Sequence, residues 1–216
     1  MSKINTIFFD LDGTLIDSVE GIEYAVKQAI NLVKPSVKIP SLRPFIGPPI
    51  KIVLQSVLPN INEGEMQEIL TYFRRIYDQE GWKKSICYDG VIETLSNLGK
   101  LGKTGFIVTN KPFVPTYAIL EELTIKACFQ EVLCPNSQNP PFTSKVEMIQ
   151  TAIANYHLNP ETCLMVGDSL DDAKAAHFNN IKFVAVNYGY GQVHIKNEFP
   201  IAYIVSSLTE ILNYID

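Results

Sequence analysis

The sequence predicts an α/β fold, a doubly wound parallel sheet with a separate all-helical segment inserted near its start. Two observations support this prediction. Short apolar runs alternate with amphipathic helical patterns along most of the chain, which is typical of a parallel sheet covered by helices. The stretch from residue 17 to residue 86 contains only helical patterns, so an extra helical unit follows the first apolar run.

The composition indicates a folded globular protein. The chain has 216 residues, of which 46% are hydrophobic and 19% are charged, so neither a disordered nor a fibrous class fits. This length accommodates one or two domains with a sizeable core. Its 18 Lys and Arg residues against 23 Asp and Glu residues give a net charge of −5, without the basic run that a nucleic-acid binder would show.

Cysteine usage and hydropathy bear on the compartment. Cys87, Cys128, Cys134 and Cys163 show no C-x-x-C spacing and lie in or beside apolar runs, which is typical of buried free thiols in a reducing compartment. No apolar run approaches about 18 residues, and the N-terminus enters a strand without the pattern of a signal peptide. We therefore expect a cytoplasmic protein that interacts with neither a membrane nor a nucleic-acid polymer.

Six apolar runs are expected to form the sheet. Near-continuous Phe, Ile and Val content in several of them is typical of strands that are buried on both faces. The predicted strands are residues 4–10, 104–110, 131–134, 162–167, 182–186 and a short 202–205. The helical patterns of the core are residues 90–99, 114–123, 145–157, 171–178 and 208–214. We expect these helices to cover the sheet.

Residues 17–86 interrupt the alternation, because they contain helical patterns and no convincing strand. The first helix of this segment opens with Asp17 and Glu20 at the spacing of a capping box. Pro49, at the end of a proline-rich connection, is well placed for the first turn of a second helix. A third helix is predicted over residues 63–80, because apolar residues recur there at helical spacing.

The inserted segment is too long for a plain crossover between strands. We therefore predict a core formed by residues 1–16 and 87–216 and a helical cap formed by residues 17–86. Since the cap follows the first strand directly, it is expected to lie over the carboxyl ends of the strands. In an open parallel sheet this is the edge where ligands bind.

The first strand ends in two carboxylates, Asp10 and Asp12, and the chain then turns at Gly13. Side chains alternate along a strand, so both carboxylates are expected on one side while Leu11 enters the core. Two like charges so close together repel each other unless a cation neutralises them or one of them holds a proton. The pattern indicates either a magnesium site that contains a nucleophile or an ordinary Asp-Gly turn.

Two later strands end in residues that complement this pair. Thr109 and Asn110 offer a hydroxyl and an amide that can donate to phosphate oxygens. Asp168 directly follows another strand, with Asp171 and Asp172 about one turn later. Carboxylates from two strand ends, together with a backbone carbonyl and waters, suit the octahedral oxygen shell of Mg²⁺.

Lys145 begins a helix just before the strand that ends at Asp168. Its ammonium group is therefore expected to reach the same edge of the sheet and to hold a phosphate group there. Together these residues are explained better by a site than by separate turns and helix caps.

The order and spacing of these residues resemble those of the haloacid dehalogenase-like hydrolase superfamily over the whole chain. Its four motifs look like Asp10-Leu11-Asp12-Gly13-Thr14, Thr109-Asn110, Lys145 and Gly167-Asp168-Ser169-x-x-Asp172. The helical insertion and residues 45–49 and 108–112 resemble the phosphoglycolate phosphatase-like branch. The resemblance implies a Rossmann-like core and phosphoryl transfer through an aspartyl-phosphate.

The resemblance also implies roles for four catalytic residues. Asp10 is expected to attack phosphorus and to become phosphorylated. Asp12 is expected to protonate the leaving oxygen and then to deprotonate the attacking water. Thr109 and Lys145 are expected to hold the transferring phosphoryl oxygens. An acid at Asp12 favours a phosphatase, because the dehalogenases of the family lack it.

For the metal, the resemblance implies Mg²⁺ bound by the carboxylates of Asp10 and Asp168 and by the main-chain carbonyl of Asp12. Asp172 is expected to support this shell through water or to orient the motif lysine. Asp171 also lies close and could share that task.

Two candidate residues have plain alternatives. Lys145 departs from the commonest form of its motif, in which proline follows the lysine, because Pro140 and Pro141 precede it here. A solvated lysine in a first helical turn is the alternative. Arg43, beside the Gly47-Pro48-Pro49 loop of the cap, is the candidate to meet a substrate carboxylate or second phosphate, and a surface charge is its alternative.

The predicted function is a Mg²⁺-dependent phosphatase that acts on a small phosphomonoester most like phosphoglycolate. Pyrophosphate and nucleoside monophosphates stay open as substrates, because cap residues choose the leaving group and none of them is decisive here. We expect a small phosphorylated metabolite as the binding partner, and either a monomer or a homodimer.

Three functions from other classes fit less well. A sugar-phosphate phosphomutase of the same family usually places a histidine in the cap, and residues 17–86 contain none. A phospho-receiver also groups acids, a threonine and a lysine at strand ends, but it is about half as long and lacks the helical insertion. A catalytically silent binding module would have lost Asp10 or Asp12, and both are present.

Overall fold

The computed structural model, which describes residues 3–191 and 198–215, alternates strands and helices around one helical interruption. The strands are β1 (Thr6–Phe9), β2 (Ile16–Asp17), β3 (Ile86–Cys87), β4 (Thr104–Val108), β5 (Glu131–Leu133), β6 (Cys163–Gly167), β7 (Lys182–Val186) and β8 (Tyr203–Val205). The α-helices are α1 (Val19–Val33), α2 (Ile50–Val57), α3 (Glu63–Gln79), α4 (Val91–Lys100), α5 (Phe113–Glu122), α6 (Lys145–Asn155) and α7 (Leu170–Phe178). Short 3-10 helices lie at Arg43–Phe45, Gly81–Lys84, Lys126–Cys128, Pro160–Thr162 and Leu208–Tyr214.

Six strands form one parallel sheet in the order β5-β4-β1-β6-β7-β8. The first strand lies inside the sheet, where Phe8 is in register with Phe106 of β4 and with Met165 of β6. Its side chains alternate, since Ile7 and Phe9 join one apolar cluster and Phe8 joins another. Both faces of the strand are therefore buried, and the predicted α/β fold with a parallel sheet is confirmed.

Helices cover both faces of this sheet. Apolar residues of α4, α5 and the Leu208–Tyr214 segment pack on one face, and those of α6 and α7 pack on the other. The predicted last helix is a 3-10 helix rather than an α-helix. Because β1 lies between β4 and β6, the residues that follow these three strands lie beside one another at one edge.

The helices α1, α2 and α3 bury their apolar faces in a third cluster, separate from the two that cover the sheet. Val26 of α1, Leu54 of α2 and Ile69 of α3 are each at most 2% exposed. One residue from the core part of the chain, Tyr190, also joins this cluster. The separate cluster supports the proposed division into a core (1–16 and 87–216) and a cap (17–86).

A short pair of strands at the base of the cap was absent from the sequence prediction. β2 and β3 form an antiparallel two-stranded sheet in which Ile16 lies opposite Cys87 and Asp17 opposite Ile86. Two residues are too few to show a strand periodicity in the sequence. The pair brings together the two points at which the chain passes between core and cap.

The predicted capping box at the start of α1 is wrong. The residue before the helix is Ser18, and its side chain makes no capping hydrogen bond. The Asp17 carboxylate accepts from the Val19 N–H at 3.1 Å, but Glu20 forms an ion pair with Lys84 at 2.7 Å. Contacts with distant parts of the chain therefore replace the local capping pair, and sequence spacing alone does not reveal such contacts.

The predicted environment of the cysteines is correct in part. All four are free thiols, but only Cys134 and Cys163 are buried, while Cys87 is half-buried and Cys128 is exposed. Cys128 ends a surface 3-10 turn, so its apolar neighbours in the sequence do not enclose it. Within the described part of the chain, every helix is too short or too polar to cross a bilayer.

The approach of α1 to the Gly81–Lys84 turn leads to a prediction about stability. A Cβ atom added at Gly21 would collide with the backbone carbonyl of Gly81, which cannot rotate away as a side chain does. Gly21→Ala should therefore lower the free energy of unfolding by about 1–3 kcal/mol, the usual cost of overpacking. Urea denaturation against wild type measures this change.

The matched control is Gly99→Ala in α4, where an added Cβ would meet no atom within 4 Å. This variant should be neutral or more stable by up to about 1 kcal/mol, because alanine is the better helix former. A loss of stability at Gly21 no larger than that at Gly99 would contradict the prediction.

Candidate active site

A buried lysine joins two carboxylates at the edge of the sheet. Asp10 directly follows β1 and is only 4% exposed, and its N–H donates to the Val166 carbonyl at 3.0 Å, which continues the sheet pairing. The Lys145 Nζ atom lies 2.7 Å from Asp10 Oδ1 and 2.7 Å from Asp172 Oδ1. Lys145 is 4% exposed, so the alternative of a solvated lysine is wrong.

The first turns of two helices hold Lys145 and Asp172 in this arrangement. Ser144 caps α6 by accepting from the Glu147 N–H, which sets Lys145 in the first helical turn. Ser169 and Asp172 form a capping box at the start of α7. The second oxygen of Asp172 accepts from the Ser169 N–H at 3.0 Å and from its hydroxyl at 2.6 Å. Asp172 is therefore fixed on both oxygens, one of which forms the ion pair with Lys145.

Asp168 directly follows β6, close to Asp10 and Asp172, and is fully buried. Its Oδ2 atom accepts from the backbone N–H groups of Tyr190 at 2.6 Å and Gly191 at 2.8 Å. Its Oδ1 atom is buried with no hydrogen-bond partner. A Cβ atom at Gly13, which has φ +84°, or at Gly189 would collide with the Asp168 side chain, so both positions need glycine.

Asp10, Asp168 and Asp172 offer ligand atoms that all lie within 4.8 Å of one another. Burial, followed by the charge of Asp172, raises the pKa of Asp10 well above its usual value and that of Asp168 to about 7. Burial alone would lower the pKa of Lys145, but the charges of Asp10 and Asp172 outweigh it and raise the pKa. The single positive charge of Lys145 thus neutralises only part of the negative charge that three ionised carboxylates would carry.

This donor set fits a divalent cation. The unpartnered Asp168 oxygen is the kind of buried polar atom that metal coordination satisfies, and all three groups offer the oxygen ligands that hard cations prefer. A cation would also reduce the repulsion that raises the two pKa values.

Asp12 is neutralised by a different lysine. Its carboxylate accepts from Lys111 Nζ at 2.8 Å and 3.0 Å, and the Ser18 hydroxyl also donates to it. Each of the two acids that follow β1 therefore has its own ammonium partner, Lys145 for Asp10 and Lys111 for Asp12. Burial lowers the pKa of Lys111, but the charge of Asp12 outweighs it and raises the pKa.

The two predicted site residues that follow β4, Thr109 and Asn110, make hydrogen bonds with groups outside the cluster of buried acids. Thr109 is 1% exposed, and its hydroxyl oxygen accepts from the Lys111 N–H at 3.1 Å. Asn110 donates from its amide to Asp171 Oδ2 at 3.1 Å, so it is already paired. Asp171 is exposed and outside the buried acid cluster, which distinguishes it from Asp172.

Arg43 lies at the border between cap and core. Its Nη2 atom is 2.7 Å from Asp17 Oδ2, and its guanidinium group lies 5.4 Å from the ring centre of Tyr190. The Tyr190 hydroxyl donates to Asp17 at 2.8 Å and accepts from the Ser18 N–H at 2.8 Å. Burial raises the pKa of Asp17, but its hydrogen bonds with Arg43 and Tyr190 outweigh this and lower the pKa.

Two residues near the site had no predicted role. Lys111 directly follows the Thr109-Asn110 pair, and this position was the available signal. Tyr190 lies between two glycines just after β7, in the segment Tyr188-Gly189-Tyr190-Gly191. Glycines on both sides of an aromatic residue after a strand indicate close packing of the backbone, which here surrounds Asp168.

The fold and the site together define a class of capped α/β enzymes with an acid and lysine cluster at the carboxyl ends of a parallel sheet. The family profile described as haloacid dehalogenase-like hydrolase matches residues 7–186. The chain belongs to this family of hydrolases, as the four motifs predict.

Named relatives and solved structures agree with this membership. The chain is 32% identical to the phosphoglycolate phosphatase of Nitrosococcus oceani over 214 residues, which cover 96% of this chain and 94% of that protein. It is 31% identical to the 5'-nucleotidase of Pseudomonas aeruginosa, with 86% of this chain and 83% of that protein covered. The structure of the haloacid dehalogenase-like hydrolase SP0104 from Streptococcus pneumoniae superposes with a TM-score of 0.89, 25% identity and full coverage of both chains.

The raised pKa of Asp168 leads to a prediction about pH. The usual pKa of an aspartate carboxyl is 3.8, and burial raises the pKa of Asp168 to about 7, so the folded protein holds an extra proton between these two pH values. Stability of the metal-free protein should therefore fall as the pH rises from about 4 to about 7. A divalent cation binds the charged form, so it should raise the melting temperature more at the higher pH.

Thermal melts with a chelator and with added cation measure this effect. Asp168→Asn is the matched control, because its carboxamide oxygen can still accept from Tyr190 and Gly191. The variant should lose part of the pH dependence and most of the response to the cation. A fall in stability as large as that of wild type would show that Asp168 is not the group responsible.

Proposed function

We propose that the protein is a Mg²⁺-dependent phosphatase that hydrolyses a small phosphomonoester through an aspartyl-phosphate at Asp10. One observation carries the proposal. The buried Asp10 carboxylate is held by Lys145 at 2.7 Å and offers a ligand atom within 4.8 Å of one from Asp168, so the proposed nucleophile, its ammonium partner and a proposed metal ligand lie close together. The named phosphatase relative supports the same reaction.

The metal would be held by the carboxylates of Asp10 and Asp168 and by the main-chain carbonyl of Asp12. When bound, Mg²⁺ would neutralise the charge that builds up as a carboxylate approaches a phosphate dianion. Oxygen-only ligands from the ends of β1 and β6 favour this ion over softer metals.

The side chains support a reaction in two displacements. In the first, an Asp10 oxygen bonds to phosphorus, the ester P–O bond breaks, and Asp12 gives a proton to the leaving oxygen. In the second, Asp12 takes a proton from water, the water oxygen bonds to phosphorus, and the bond to Asp10 breaks to release phosphate. Lys145, which is paired with Asp10, and Thr109, which is buried just after β4, hold the phosphoryl oxygens as their negative charge is redistributed.

The substrate that we favour is a small phosphomonoester most like phosphoglycolate, on the evidence of the phosphoglycolate phosphatase relative. A nucleoside monophosphate is the second candidate, and the 5'-nucleotidase relative favours it. Arg43 is the proposed contact for a second anionic group. Because Asp17 already binds its guanidinium group at 2.7 Å, a substrate anion would share or replace this partner.

The proposal extends to the binding partner and the compartment. It assumes a small phosphorylated metabolite rather than a nucleic-acid polymer, and the net charge of −5 supports this. The cytoplasmic location, and the choice between a monomer and a homodimer, stay predictions from the sequence.

The first test of this function is phosphate release from a panel of phosphoglycolate, nucleoside monophosphates, pyrophosphate and p-nitrophenyl phosphate. Wild type should require Mg²⁺, and Asp10→Asn should lose at least about a thousandfold in kcat because it lacks the nucleophile. Asp89→Asn, which changes an exposed carboxylate outside the site, is the control and should keep full activity. Activity of Asp10→Asn close to wild type, or no Mg²⁺-dependent turnover on the panel, would refute the proposal.

A second test concerns selection of the substrate by the cap. Arg43→Ala should lower kcat/KM for phosphoglycolate by about tenfold or more, the usual worth of a charged hydrogen bond, and should affect p-nitrophenyl phosphate much less. Arg75→Ala is the matched control, because Arg75 is an exposed cap arginine that stacks on Tyr72. Equal losses on both substrates would remove Arg43 from this role.

A further inference from the structure

We propose that Lys111 is a positioning residue that holds the carboxylate of Asp12 where it exchanges protons with the leaving group and with water. This inference rests on the function proposed above for Asp10 and Asp12. It assigns a task to a buried cation that neither binds Asp10 nor joins the three-carboxylate cluster.

The contact between the two side chains fixes the plane of the carboxylate. Lys111 Nζ lies 2.8 Å from one oxygen of Asp12 and 3.0 Å from the other. The Ser18 hydroxyl donates to the first of these oxygens as well. A carboxylate that receives hydrogen bonds on both oxygens cannot turn freely about its last bond. The lysine side chain is 6% exposed and the Asp12 side chain 16% exposed, so water competes little for either.

Lys111 is itself held at both ends of its backbone. Its N–H donates to the Thr109 hydroxyl at 3.1 Å, and its carbonyl accepts from the Thr116 hydroxyl at 3.3 Å. Lys111 lies between the end of β4 and the start of α5, two elements of the sheet and its covering layer. The lysine is therefore anchored to the same strand end as Thr109, which is proposed to hold the phosphoryl group.

The cap contributes to this arrangement through Tyr77 of α3. The ring centre of Tyr77 lies 4.9 Å from Lys111 Nζ, within the range of a cation–π contact. Tyr77 is 4% exposed, so its ring covers the ammonium group and excludes water from that side. The position of Asp12 thus depends on a core lysine that a cap residue encloses.

A purely structural ion pair would have a different effect on the kinetics. Loss of a structural pair lowers the amount of active enzyme and affects all substrates alike. Loss of a group that positions the proton donor matters most for substrates whose leaving group must be protonated. An alkyl alcohol needs this proton, whereas p-nitrophenolate leaves readily without it.

The test compares Lys111→Met on phosphoglycolate and on p-nitrophenyl phosphate in the presence of Mg²⁺. The value of kcat/KM reports all steps up to cleavage of the ester bond. The loss in kcat/KM should be at least about tenfold larger for phosphoglycolate, because general acid catalysis is worth about a hundredfold or more. If wild type hydrolyses another alkyl phosphomonoester better, that compound replaces phosphoglycolate.

A double variant distinguishes a positioning role of Lys111 from a purely structural one. In an Asp12→Asn background, Lys111→Met should change kcat/KM by less than about twofold, since no carboxylate remains to be positioned. Lys126→Met, at a surface lysine that is 44% exposed and paired with Glu121, should leave activity on both substrates unaffected. Lys111→Arg, which keeps the charge, should show the same selectivity with a smaller loss.

Thermal melts show whether each variant is folded. If Lys111→Met does not fold, Lys111→Arg and Tyr77→Leu take its place, and each should affect phosphoglycolate more than p-nitrophenyl phosphate. Equal losses on the two substrates, or an undiminished loss in the Asp12→Asn background, would overturn the role of Lys111. An inactive wild type would instead overturn the proposed function itself.

Discussion

The lysine shared between Asp10 and Asp172 is the interaction on which the rest of the site depends. Removing a charge from water costs several kcal/mol, so a buried ammonium group is stable only with close anionic partners. Asp10 directly follows β1, Lys145 belongs to α6 and Asp172 to α7, and both ion-pair distances are 2.7 Å. The capping box at Ser169 satisfies the remaining oxygen of Asp172. The geometry of the three elements and the charge balance of the site therefore constrain each other.

Because of a second buried lysine, the two acids that follow β1 have different ion-pair partners. Asp10 and Asp12 are one residue apart in the sequence, yet Lys145 pairs with the first and Lys111 with the second. The proposed nucleophile thus lies in the cluster of buried acids that is proposed to bind the metal. The proposed proton carrier lies beside Lys111, which the cap residue Tyr77 covers. Two tyrosines link the cap to these groups. Tyr77 of the cap covers Lys111, and Tyr190, whose side chain packs in the apolar cluster of the cap, donates its backbone N–H to Asp168.

Much of the architecture could be predicted because local patterns carry it. The apolar runs around Phe8 and Phe106 are buried on both faces of a sheet, and a continuous apolar run is what such burial requires. The pairing of Ile16–Asp17 with Ile86–Cys87 could not be predicted, because it joins residues about 70 positions apart through two-residue strands. The capping box at Asp17 failed for a related reason, since Arg43 and Tyr190 bind that carboxylate instead.

The sequence by itself determined the fold class, the inserted helical segment and the residue types at the strand ends, since periodicity and motif spacing are properties of neighbouring positions. Only the tertiary structure decided which charge neutralises which. It assigned Asp172 rather than Asp171 to the buried cluster, paired Asp12 with Lys111, and turned Asn110 toward Asp171. The physical reason is that a buried charge is stabilised by whichever partner lies within a few ångströms, and that distance is set by the packing of strands and helices remote in sequence.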